Sequence, residues 1–216
     1  MNGKLAYRIV VALAAVSVLW ALLVHWFIDP GAAEFLSHKT GLRREIRLPV
    51  WLRVLDLHVA AACLAIAAGA MNFSGRLRRA NRKLHRAAGY TYIFCVLAVC
   101  ITSGYMAPYA TGGRAAGIAF NLLNLLWIGI TLTAFAHIRR LQVDLHRRWM
   151  VRSYVFCFTN VCIHALSAMF RGLFGLSYGT GYACGVIGTI VGLMLLAEAV
   201  IRLPPYPPKA RADIPS

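Results

Sequence analysis

Acidic residues are scarce in this chain. Seven Asp and Glu stand against 23 Lys and Arg, a net charge of +16 over 216 residues. No two carboxylates sit together in a pattern that would support acid–base catalysis. Asp56 and Glu198 are isolated from one another and from any evident nucleophile. Charge of either sign is sparse as well, at 14% of residues, where a soluble domain usually carries about 25%. The six cysteines all fall inside apolar runs and none forms a C-x-x-C pair, which argues against a disulfide framework or a cysteine metal site.

What the chain has in place of charge is apolar length. Hydrophobic residues make up 60% of it, and a bilayer is the natural place for that excess. The cations lie in short clusters between long apolar runs, a pattern of membrane topology signals rather than of a nucleic-acid surface. No soluble domain remains to bind nucleic acid, so none is expected as a partner; the lipid bilayer is.

A spanning helix needs about 20 predominantly apolar residues. Six segments qualify: Arg8–Ile28, Leu52–Phe73, Ala87–Met106, Ala115–His137, Trp149–Phe170 and Tyr178–Ile201. The expected fold is all-α, a polytopic membrane protein of six transmembrane helices with a central four-helix bundle made by the second to fifth. Residues 1–203 form one domain, with its bundle core at about 52–173. The proline-rich run from Pro204 ends the last helix, and 204–216 is expected to be a disordered cytoplasmic tail. The first apolar run, about 20 residues long, exceeds the 7–15 of a signal peptide and reads as a retained anchor.

Orientation follows the cations. The loop after the second span holds Arg76, Arg78, Arg79, Arg82, Lys83 and Arg86; that after the fourth holds Arg139, Arg140, Arg147 and Arg148. Both loops and both termini are therefore expected in the cytoplasm of a bacterial inner membrane. The first outer loop, with Lys39, Arg43, Arg44 and Arg47, goes against this count and reads as an amphipathic segment lying on the outer surface.

Polar groups at membrane depth usually face the bundle interior. At 1.5 Å of rise per residue, His58 and His164 both lie roughly 8 Å below the outer edge. Asn160 shares a face with His164, Arg171 closes the fifth span from outside, and Thr102, Ser103, Asn121 and Asn124 occupy the same half. Two facing imidazoles could ligate a haem b or another metal, with Asn160 orienting one of them and Arg171 meeting a propionate. The same groups could line a quinone or polar substrate pocket, or merely hold the bundle together. At the other edge, Leu84-His85-Arg86 and Leu145-His146-Arg147 open the third and fifth spans. His85 and His146 could meet there as a second haem site or an anion pocket, with His137 as a third candidate, or they could be plain boundary residues. His25 and His38 read as interfacial, and Glu198 could pair with Arg202 at i+4.

The order of features carries a resemblance. His58 precedes Gly69-Ala70-Met71-Asn72-Phe73. Then come His85-Arg86-Ala87-Ala88-Gly89-Tyr90 and His146-Arg147-Arg148-Trp149-Met150-Val151-Arg152-Ser153-Tyr154. This resembles a bacterial and fungal family of multipass membrane proteins catalogued as a domain of unknown function, over roughly Leu52 to Ile201. A fainter likeness is to four-helix membrane cytochromes of the b type, and it implies haem between histidines on facing helices. Function is thus expected to be that of a haem-binding redox component, with a quinone or a redox protein as partner. The alternative is a non-enzymatic assembly factor, or a small-molecule or anion carrier without cofactor.

Overall fold

The computed structural model describes residues 3–37 and 45–202, and these are helical almost throughout. His38, Lys39, Arg43, Arg44 and the tail from residue 204 lie outside the described residues.

The first span is α1 (Gly3–Leu23), which runs on through a π-helical turn, Val24–Ile28. A short α2 (Ala33–Ser37) follows. The second span is α3 (Leu48–Asn72), with Pro49 in its first turn, where a missing N–H costs nothing. Ser74 caps α4 (Gly75–Ala80), its hydroxyl accepting from the Leu77 amide. Asn81 caps the third span, α5 (Arg82–Met106), accepting from the Leu84 amide. Pro108 and the left-handed Gly112 turn the chain into α6 (Gly113–Arg139). The fifth span has two parts. Its basic-end half is α7 (Val143–Tyr154), and a 3-10 turn at Val155–Phe158 leads to α8 (Thr159–Phe174). The sixth is α9 (Tyr178–Arg202). Among the described residues, six stretches are thus long and apolar enough to cross a membrane.

Large apolar side chains such as Phe94, Ile101, Leu125 and Leu195 remain exposed around the bundle. In a soluble protein such a surface would be a liability; here it is the surface that meets lipid. The interior is built from Tyr92, Val96, Trp127, Phe156 and small residues of α3. Small residues decide which helices come close. A Cβ at Gly69 would overlap the Tyr154 ring, so α3 can receive that ring only as glycine. The Tyr154 hydroxyl then donates to the Ile66 carbonyl, 3.0 Å away. Likewise a Cβ at Gly185 of α9 would overlap Ser167 Oγ of α8, the close approach that small residues give in membranes.

The helix neighbours are specific. α3 packs against α5 and α1, α5 against α6, and α6 against α7 and α9. α8 packs chiefly against α9. The sixth span therefore joins the bundle rather than lying outside the central four, burying Val186, Thr189, Leu193 and Ala197.

Candidate functional site: two histidine levels and a hydroxyl hub

The basic end carries the first group. His146, in the first turns of α7, sends Nδ1 2.8 Å to the Ala134 carbonyl of α6. A carbonyl only accepts, so Nδ1 carries a proton, and in the neutral ring the lone pair lies on Nε2. His85, at the start of α5, lies close enough that the charges of His85, His146 and Arg78 interact. His85 Nδ1 is buried without a hydrogen-bond partner, and so is Asn72 Oδ1 at the end of α3. His137 is engaged locally, bonded to Gln142 at 2.6 Å and stacked on Trp149.

The other half treats its histidines differently. His58 on α3 is half-buried and its Nδ1 lies 2.9 Å from Thr102 Oγ1 on α5. Thr102 directs its own proton to the Ala98 or Val99 carbonyl, at 2.7 and 3.0 Å. Thr102 is thus placed to accept from His58, whose ring also meets the Val99 backbone. His164, Asn160 and Arg171 are all exposed on α8. Arg171 lies over the Tyr178 ring at 4.8 Å. His58 is turned to Thr102 of α5, whereas His164 is exposed on α8, which packs chiefly against α9.

Between these levels lies a group that sequence reasoning missed. Ser153, Tyr92, Thr131 and Trp127 are buried together, from α7, α5 and α6. The Thr131 hydroxyl donates to the Trp127 carbonyl at 2.7 Å, so it accepts from Ser153 at 2.7 Å. Ser153 in turn accepts from the Tyr92 hydroxyl at 2.7 Å and the Trp127 indole N–H at 3.2 Å. Every donor in this hub has one acceptor, as burial in hydrocarbon demands. Trp127 and Thr131, at i and i+4 on one face, were the available signal.

Two side-chain contacts between helices also differ from the sequence reading. Glu198 reaches across to Arg152 of α7, with Nε–Oε1 at 2.6 Å and Nη2–Oε2 at 3.2 Å. Arg202, one turn on, acts on the same carboxylate through its charge, while Arg152 makes the bidentate hydrogen bonds. His25 is not merely interfacial, because its Nε2 meets Asp56 at 2.8 Å and joins α1 to α3. Among the described residues, no three His, Cys, Asp or Glu side chains assemble as a metal site.

Six apolar spans, a lipid-facing apolar surface and polar groups turned onto one another define a multi-pass helical membrane protein. The chain belongs to the family described as predicted membrane protein (DUF2306), whose model matches residues 55–201. That range takes in both histidine levels and the hydroxyl hub. No curated protein and no solved structure matches the chain.

Proposed function

We propose that the protein holds one haem b at its basic end, with His85 and His146 as axial ligands, and works as a one-electron carrier. The observation that carries this reading is the fixed tautomer of His146. Its Nδ1–H is tied to the Ala134 carbonyl, the arrangement that orients a ligating imidazole and raises its basicity. His85 stands nearby with a buried nitrogen that has no protein partner. Two imidazoles without a third protein ligand suit haem, whose porphyrin supplies the other four nitrogens, better than a tetrahedral zinc. Arg78 and its basic neighbours would meet the propionates. In this reading the basic loops and both termini face the cytoplasm of a bacterial inner membrane. A second haem at His58 would need an opposing imidazole, and His164 is exposed on α8. The proposal is therefore confined to one.

The test is an absorption spectrum of protein purified from haem-supplied cells. A Soret band that is lost in His85→Ala and His146→Ala is the expected result. A colourless wild-type protein overturns it. Such a protein, if stabilised by added phosphate through the same imidazoles and arginines, would instead be an anion-binding carrier or assembly component.

A further inference from the structure

α8 (Thr159–Phe174) is covered on one side. Ile163 and Ser167 are buried there, and a Cβ at Gly188 of α9 would touch Leu166 and Phe170. The opposite side of the helix is open. Asn160, His164, Ala165, Ala168 and Gly172 are all exposed on it. Asn160, His164, Ala168 and Gly172 follow one another at i+4 and so lie in one row. A Cβ built at Gly172 meets nothing within 4 Å.

His164 and Asn160 lie ten and fourteen residues before the end of α8 at Phe174, or roughly 15 and 21 Å along the helix. Both fall inside a hydrocarbon core about 30 Å thick. Among the described residues, neither side chain has a hydrogen-bond partner. Lipid tails offer an amide or an imidazole nothing to bond, so polar groups left facing them are costly. An exposed leucine suits such a place; an exposed Asn and His one turn apart do not.

We propose that this row is the interface of a parallel homodimer, with Asn160 and His164 hydrogen-bonded across a two-fold axis to Asn160 and His164 of a second copy. Both copies insert in the same direction, so the axis runs along the membrane normal. It sets each residue of α8 opposite its own twin at the same depth. Groups that meet their twins must be self-complementary. An amide carries both donor and acceptor, and so does a neutral imidazole. A charge in the row would repel its twin, and the row holds none. Arg171, at the end of the helix, is turned aside over the Tyr178 ring. Ala168 and Gly172 carry too little side chain to hold two backbones apart, the feature that lets helices associate in lipid. Neither His85 nor His146 lies on α8, so the dimer stands or falls independently of haem.

The experiment counts copies of the full chain by single-molecule photobleaching in phosphatidylcholine liposomes, with one fluorophore at each C-terminus and a falling protein-to-lipid ratio. Wild type is expected to bleach in two steps at high ratio and in one step at low ratio. Asn160→Leu and His164→Leu should each weaken the dimer about tenfold, since each loses a bond made twice across the axis. Gly172→Leu should abolish it by holding the backbones apart. Asn160→Gln keeps a donor and an acceptor and should still dimerise. Asn121→Leu, which removes an exposed amide from α6, should dimerise like wild type. Oxidation should cross-link Ala168→Cys to its twin more fully than wild type, with its own six cysteines. One-step bleaching of wild type at every ratio overturns the proposal and leaves the face to a different protein or to water. So does a dimer that is equally tight in Asn160→Leu, His164→Leu and Gly172→Leu, because the copies would then meet elsewhere. A weakened dimer whose monomer also unfolds at a lower temperature than wild-type monomer would make the residue structural, and overturns it as well.

Discussion

The basic end and the opposite half of the bundle each contain histidines at one level, yet they are built differently. At the basic end, α5 and α7 both begin after arginine-bearing loops, and His85 and His146 come within electrostatic reach of one another. In the opposite half, His58 is bonded to Thr102 on α5, while His164 is exposed on α8 against α9. Depth is one coordinate of a spanning helix; the direction a side chain points is another. Only the second decides whether two imidazoles can share an iron.

The strongest way to break the contrast is through the cofactor. His146→Ala should abolish the Soret band, and His164→Ala should leave it intact, as measured on purified protein. A band lost in His164→Ala and kept in His146→Ala would reverse the assignment of the two ends. Packing offers the next largest effect. Gly69→Ala forces the Tyr154 ring aside and should cost about 1–3 kcal/mol in a detergent or chemical unfolding assay. Gly129→Ala, where a Cβ meets nothing within 4 Å, should be neutral or stabilise by up to about 1 kcal/mol.

The hub between the two levels sharpens the comparison further. Ser153→Ala removes the shared oxygen of Tyr92, Trp127 and Thr131 and should cost about 1–2 kcal/mol of unfolding free energy. It should shift the unfolding temperature without changing any haem spectrum. Glu198→Gln is expected to have the smallest effect. The Arg152–Glu198 pair is only partly buried, so a double-mutant cycle should return under about 1 kcal/mol.

Much of the architecture was legible because a bilayer imposes a length and a polarity that can be read one residue at a time. The positions of the six spans follow from apolar length and from breakers such as Pro108 and Gly112. The helices extend beyond the apolar runs at most of their ends, since α5 starts at Asn81's cap rather than at Ala87. The electrostatic link between His85 and His146 was partly legible from the repeated Leu-His-Arg at two helix starts. The Arg152–Glu198 pair, His25–Asp56 and the Ser153 hub were not, since each joins residues at least 22 positions apart on different helices.

By itself, then, the sequence determined the six stretches that can cross a membrane, because a bilayer sets the apolar length a helix needs. The tertiary structure alone decided which polar groups meet. That choice rests on where small residues such as Gly69 and Gly185 let helices approach, and on the need of every buried donor in hydrocarbon to find an acceptor. Asn124 is a place where that need is left open.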